Sequence, residues 1–409
     1  MVQVKEMSTS DRIKTCYVHD LLHELSIKKA KEEISFEILK EGNYQSLNKA
    51  RHRAVYCSAE RSILGNSNTR LRSLFIRGAG IADEIPSYWK SFGRLRVLDF
   101  EDFELTNLPD SIRELTWLRY LGLRNTNIKE LPSSLGCLRN LEVLDIAKNK
   151  GIEVPNVLWK LSKLCCFYMS EIKCKVPLKI DTLKNLQTLK YIPLHNWSLE
   201  HAAQLTSVYN LSINLGENLD IDELCTSLAK MENLISLRLN GSVERNIRSL
   251  DQLTNLHRLT KLKINGLVAK LPSASNFPPN LSYLILQGQM VISQDGFPRL
   301  RVLSLNYLKF LKNIQLEKGA MAELNRLEII RSPLLESLPE ELRFMTNLKE
   351  LKMETTQQLA SKLQGVNSHI ISNIPSVELI IIPKWHGLLT ELILTAAAFV
   401  AGSHKRSLL

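Results

Sequence analysis

His19 and His23 stand four residues apart, a spacing that on a helix places both imidazoles on one face, as a metal pair would require. No third ligand accompanies them at metal spacing, so they read as a helix-surface pair. The seven cysteines, at positions 16, 57, 137, 165, 166, 174 and 225, form no C-x-x-C pair and no zinc-ligand spacing. The nine histidines are scattered, with no H-E-x-x-H and no Ser or Cys nucleophile in a recognisable elbow. These absences argue against catalysis. The chemistry the chain can do is recognition, through side chains that alternate outward from short strands. The central outward positions run Phe75, Asp99, Gly122, Asp145, Tyr168, Lys190, Ser212, Arg238, Lys263, Ile285, Ser304, Glu328 and Lys352. The candidate contact residues on this face are Phe75, Asp99, Glu101, Tyr120, Arg124, Asp145, Tyr168, Lys190, Tyr209, Arg238, Lys263, Tyr283, Tyr307, Glu328 and Lys352. Tyr and Arg are the residues that interface hot spots favour, and a potential that changes sign selects both partner and orientation. Here the sign is acidic near Asp99, Glu101, Asp102 and Asp145, then basic from Lys190 to Lys263.

The elements that must hold these side chains are set by a repeat. Leu95, Leu98 and Phe100 return as Leu118, Leu121 and Leu123, and again as Leu141, Leu144 and Ile146, at a step of 23 residues. A Leu/Val-Pro pair follows each strand at Pro109, Pro132 and Pro155. This L-x-x-L-x-L pattern at a fixed period is the signature of a leucine-rich repeat. Alternation sends Leu98 and Phe100 to one face and Val97, Asp99 and Glu101 to the other. One strand cannot bury its apolar face alone; stacked on its copy it can, at about 1.5–3 kcal/mol per large side chain. The strands must be parallel, because each is reached by a crossover of the same hand. Prolines suit the return segments, which are expected to be irregular or short 3₁₀ turns, covered by Ile112, Leu115, Leu135 and Leu138.

Repeat strands are expected after Leu71, Leu95, Leu118, Leu141, Leu164, Leu186, Val208, Leu234, Leu259, Leu281, Leu300, Leu324, Leu348 and Ile374. At about 4.8 Å per strand, that makes a spine of roughly 65 Å, long enough for a protein-sized ligand. The fold class is therefore an α/β repeat: a leucine-rich-repeat solenoid, or horseshoe, with a concave parallel sheet. Its divisions are residues 1–40 ahead of the repeats, 41–70 as linker and amino-terminal cap, 71–382 as repeats and 383–409 as tail. Within 41–70, residues 51–56 read as a first, irregular strand. Residues 354–373 are polar and expected to be helical or mobile.

A formal charge of +11 favours acidic partners, nucleic acid or anionic membrane, but the Lys and Arg are spread along the chain. No specific nucleic-acid partner is expected. The segment from Gly387 to Gly402 is apolar but short and interrupted by Glu391, so it suits a packing helix better than a membrane span. The absence of an apolar signal core at the start and the unpaired cysteines point to a reducing interior.

Val18, His19, Asp20, Leu21 and Leu22, followed by a helix carrying Leu25, Ile27, Lys28, Lys29, Lys31 and Glu33, resemble the Met-His-Asp motif region of plant intracellular immune receptors. The resemblance is to the carboxy-terminal part of the coiled-coil class of nucleotide-binding, leucine-rich-repeat disease-resistance proteins. It implies that residues 1–40 are a remnant of a winged-helix region closing a nucleotide-binding module. His19 matches the position that contacts ADP in that family, with Val18 in place of Met. The family's phosphate loop, G-x-x-x-x-G-K-[ST], occurs nowhere in the 409 residues. The chain is thus expected to be no enzyme and to hold no ADP or ATP by itself, with His19 a non-functional remnant.

The partners implied are a pathogen effector or guarded host protein, and the nucleotide-binding module of the same family in cis or in trans. The implied location is intracellular: cytoplasmic, peripheral to a membrane, or nuclear. From the residues alone, two other readings stay open: a stand-alone repeat scaffold acting as an adaptor, and an ATPase whose catalytic module lies upstream.

Overall fold

The computed structural model describes residues 2–7, 13–18, 20–39, 50–56, 70–78, 81–82, 89–197, 200, 204–216, 221–241, 246–247, 251–265, 267–268, 278–287, 297, 299–306, 313–314, 316 and 319–381. His19, Tyr307 and the 383–409 tail lie outside them. The chain divides into two compact units. The first comprises Met1–Arg245, Ser249–Gly266 and Asn276–Leu281; the second comprises Asn246–Arg248, Leu267–Ser275 and Ser282–Leu409.

The first unit opens with an antiparallel pair, Val2–Met7 against Ile13–Val18, and a helix, Asp20–Glu33. Its body is a ladder of parallel strands: Phe36–Leu39, His52–Tyr56, Ser73–Arg77, Val97–Asp99, Tyr120–Gly122, Val143–Asp145, Cys166–Tyr168, Thr188–Pro193, Asn210–Asn214, Ser236–Asn240 and Lys261–Asn265. The second unit repeats the scheme with Tyr283–Gln287, Val302–Asn306, Arg326–Ile330, Glu350–Thr355 and Ser376–Ile381. Every strand expected from the leucine spacing is present.

Two further strands precede them, and one of these shifts a boundary. Residues 51–56 were expected as a cap strand, and His52–Tyr56 pairs along its length with Ser73–Arg77. Phe36–Leu39, which the sequence divisions place in the winged-helix remnant, pairs with His52–Tyr56 and so belongs to the stack. The reason it is hard to read is chemical. In the inward row, where later strands place Leu74, Leu98 and Leu121, these two strands place Glu37 and Arg53. Arg53 is 1% exposed and its Nε donates to Glu37 Oε2 at 2.8 Å. A buried ion pair takes the leucines' place, so no leucine pattern announces these strands.

Elsewhere the core follows the spacing. Leu95, Leu98, Phe100, Ile112, Leu115 and Leu118 are all fully buried, and so are their counterparts Leu135, Leu138, Leu141 and Leu144. The prolines sit where a missing N–H costs nothing. Pro109, Pro132 and Pro339 are the N-caps of the short 3₁₀ helices Asp110–Glu114, Ser133–Cys137 and Glu340–Phe344. Just past each strand the chain must turn sharply, and Asp102, Asn125 and Lys148 take left-handed φ of 59°, 54° and 60° at the same place in successive repeats. Asp and Asn tolerate that region; Lys148 is the costly member.

One buried side chain stitches two of these turns together. Asn149 Oδ1 accepts the Thr126 and Asn127 backbone N–H groups at 2.8 and 3.0 Å, while its Nδ2 donates to Leu123 O at 2.6 Å and Ile146 O at 3.0 Å. In the second unit, the polar stretch before the last strand forms the helices Gln357–Gln364 and Ser368–Ile371, the first capped by Thr356 Oγ1, which accepts the Leu359 N–H at 3.3 Å.

Candidate protein-binding face

Strand register decides which outward side chains become neighbours. In the first unit Phe75, Asp99, Gly122, Asp145, Tyr168 and Lys190 are partners across successive strands, and Ser212, Arg238 and Lys263 form a like row. In the second unit Ile285, Ser304, Glu328 and Lys352 align, with Glu378 beyond them. The central row read from the alternation is aligned strand to strand in each unit, apart from a break in the first between Lys190 and Ser212. Tyr120 lies in the adjacent outward row, between Val97 and Val143, and Tyr283 occupies the same kind of position beside Val302. Tyr209 does not join either row: it sits one residue ahead of its strand, where its carbonyl accepts the Ile235 and Ser236 N–H groups.

At one end of the first unit's face, Phe75 meets Phe36 with ring centroids 6.5 Å apart, and Phe36 stacks on His52 at 6.4 Å. Burial lowers the His52 pKa, and Arg72 and Arg51 push it the same way.

The acidic stretch proves not to be an open negative patch. Arg77 Nη2 lies 2.6 Å from Asp99 Oδ2 and 3.8 Å from Glu101; Arg124 lies 3.4 Å from Glu101 and 3.6 Å from Asp145. Three carboxylates and two guanidinium groups therefore interleave. Arg77 stands two residues beyond Phe75, and Arg124 two beyond Gly122, so period-two alternation puts both on the acidic face. That spacing was available in the sequence as the signal of the pairing. Asp99 is 5% exposed and also accepts the Glu101 N–H at 3.0 Å. Burial raises the Asp145 pKa despite the Ala147 N–H and Arg124, which act in the opposite direction. Tyr120, set among these groups, is pushed up to about 12 by burial first and then by Asp99, Asp145 and Glu101. Gly122 leaves the room this network needs, since a Cβ there would stand 2.3 Å from Asp99 Oδ1.

Further along, Tyr168 is raised by burial and by the neighbouring Cys166. The next strand carries a bulge: its register slips between Leu189 and Ile192, and Tyr191 takes a left-handed φ of 62°. Bulges re-aim side chains. This one brings the Tyr191 hydroxyl to 2.5 Å from Arg238 Nη1, with the guanidinium 5.7 Å from the ring centroid. Lys263 is Arg238's partner on the next strand, Lys190 stands two strands away on the other side, and Lys261 lies in the adjacent outward row. Burial lowers the Lys190 pKa, reinforced by Arg238 and Lys261; burial and Arg238 lower that of Lys263. An amide ladder borders the cluster, Asn265 Nδ2 donating to Asn240 Oδ1 at 2.7 Å and Asn240 Nδ2 to Asn214 Oδ1 at 3.1 Å.

Sequence reading missed Lys261, Tyr191 and these asparagines. Alternation could have supplied Lys261, which stands two residues before Lys263. Tyr191 depends on the bulge and had no signal. In the second unit, Lys352 pairs with Glu378 at 2.9 Å and Arg326 with Glu350. Among the described residues, no group of three His, Cys, Asp or Glu is placed to hold a metal, and no helix is long and apolar enough to cross a membrane.

The geometry is that of a parallel sheet face whose outward side chains are buried or half-buried and vary in charge, and comparison with known proteins agrees with it. A family model described as a leucine-rich repeat region matches residues 70–382. Probable disease resistance RPP8-like protein 2 of Arabidopsis thaliana is 29% identical, over 93% of this chain and 47% of its own length. Disease resistance protein RPP8 of the same plant is 29% identical, over 90% of this chain and 46% of its own length. The chain spans about half the length of the curated relatives it matches. Among solved structures, a leucine-rich repeat protein of Leptospira interrogans matches with a TM-score of 0.58 at 20% identity, covering 80% of this chain and 90% of that one. That last likeness is one of fold.

Proposed function

Since this chain belongs to the leucine-rich repeat family and is similar to plant disease-resistance proteins, we propose that it is the sensing and autoinhibitory region of a plant innate-immune receptor. Its work is protein–protein binding. The observation that carries this reading is the outward row of strand side chains, one residue per strand, running from paired charges around Asp99 and Asp145 to the cations around Arg238. A repeat scaffold of this kind supplies surface and not a reaction centre, so the chain itself performs no catalysis.

In this reading the partners are of two kinds. One is a pathogen effector or a guarded host protein; the other is the nucleotide-binding module of the same receptor family, which would hold the ADP or ATP. The two compete for the repeats. Ligand binding then shifts the population from a closed, ADP-holding state toward an open one, by as much as its affinity for the two states differs.

The test is titration of the purified chain with a separately expressed nucleotide-binding module of this receptor family, by calorimetry at low and high salt. Association that weakens as salt rises is the expected result, because exposed charges are screened. No detectable association at low salt sinks the proposal.

A further inference from the structure

The described part of the first unit treats its charges unequally. Asp99, Glu101 and Asp145 each have a guanidinium within 3.8 Å. Lys190, Arg238, Lys261 and Lys263 form no ion pair at all among the described residues, and Arg238's polar contact is the neutral Tyr191 hydroxyl. The outward residues between and beside them, Thr188, Asn210, Ser212, Ser236 and Asn240, are uncharged. All four cations are partly withdrawn from water, none of them fully exposed. Charges held this way cost folding free energy unless something pairs with them. The fold has the means to pair such groups and does so a few strands away.

We propose that Lys190, Arg238, Lys261 and Lys263 form the docking site for an acidic segment of a protein partner, whose Asp and Glu carboxylates supply the counter-charges this face lacks. The inference deepens the binding role proposed above and rests on it. Geometry favours carboxylates on a chain over a single phosphate. The cations are strung across three strand intervals, roughly 14 Å at the usual spacing, and do not converge on one point. Single charges spread along a line suit a segment bearing successive acidic side chains. Tyr168 and Tyr191 add flat, amphipathic surface beside them, as protein interfaces favour. A nucleic acid fits less well, because its phosphates would extend past four cations onto strands whose guanidinium groups are already paired with Asp99, Glu101 and Asp145.

The experiment uses the full chain and a fluorescein-labelled oligoglutamate peptide of about ten residues, long enough when extended to cross the site. Anisotropy titrations are run at about 50 mM and 200 mM salt, where an ionic contact should show its dependence. The Arg238→Gln, Lys263→Gln double variant should lose about tenfold or more in affinity, as expected when desolvated charges lose their partner. A control with Lys129→Gln and Lys179→Gln, both exposed on return segments, should bind as the parent does. Thermal unfolding separates this role from a structural one: the site variant should melt at or above the parent, since unpaired, partly buried charge has been removed.

Equal binding by both variants, or a site variant that melts well below the parent, overturns the proposal. So does displacement of the peptide by inorganic tripolyphosphate beyond what sodium chloride of equal ionic strength achieves, or tighter binding of a short DNA duplex at the same residues. The two readings fail separately. Absence of oligoglutamate binding with nucleotide-binding-module association intact overturns only this inference. The reverse outcome overturns only the receptor reading.

Discussion

Replacing Asn149 by alanine should weaken the stack more than any other single polar substitution in its neighbourhood. The side chain is 3% exposed and Thr126 beside it is fully buried. Truncation strands the Thr126 N–H, which has no route to water, at about 1–3 kcal/mol for a buried unsatisfied donor. The Asn127 N–H lies nearer solvent and loses only the net value of a bond, about 0.5–1.5 kcal/mol. Leu123 O keeps the Thr126 hydroxyl at 2.9 Å, so little is added there. The sum is a destabilisation of about 1.5–4.5 kcal/mol, with the Ile146 O bond lost besides, against about 1 kcal/mol for Thr126→Val, which forfeits only the hydroxyl's contacts with Leu123 O and Asn149 Oδ1. Urea unfolding followed by circular dichroism gives both values. Hydrogen exchange at the Thr126 amide should quicken in the Asn149 variant. A loss below about 0.5 kcal/mol with unchanged exchange would refute the idea that one side chain joins these two repeats.

Gly122→Ala should cost about 1–3 kcal/mol and break the Arg77–Asp99 pair, because the new Cβ collides with Asp99 Oδ1; urea unfolding combined with an Arg77→Ala cycle would show the coupling. Arg53→Ala should cost about 3–5 kcal/mol by taking the guanidinium away from the largely buried Glu37 carboxylate, whereas Arg53→Leu combined with Glu37→Leu should come close to the parent in the same assay. Tyr120 should ionise near pH 12 in an ultraviolet titration, and that step should vanish in Tyr120→Phe. Its folded pKa is raised from 10.0, so its contribution to stability is complete below about pH 10 and lost as pH climbs through about 12.

Where a position carried a leucine at fixed spacing, the fold was legible. Leu98, Leu121 and Leu144 fixed both the strands and their partners, since a period-two pattern can bury only one face. The prolines at 109 and 132 likewise announced 3₁₀ returns. Legibility failed wherever the repeat's chemistry changed. Glu37 and Arg53 fill leucine positions with an ion pair, so the first strand of the stack passed for part of the preceding segment. At the face, types and rows were readable but partnerships were not. Asp99, Glu101 and Asp145 looked like a negative patch because Arg77 was not counted onto the same face, and Arg124, though placed there, was not read as the partner of Glu101 and Asp145. The bulge at Tyr191, which brings that hydroxyl to Arg238, leaves no mark in composition or spacing.

Lysine acetylation footprinting of the full chain, with and without a separately expressed nucleotide-binding module, addresses the binding face directly. The expected result is slower modification of Lys190, Lys261 and Lys263 in the complex, with Lys129 and Lys179 unchanged. Protection confined to the return-segment lysines, with the three sheet lysines as reactive as before, would contradict the assignment of this face as the docking surface.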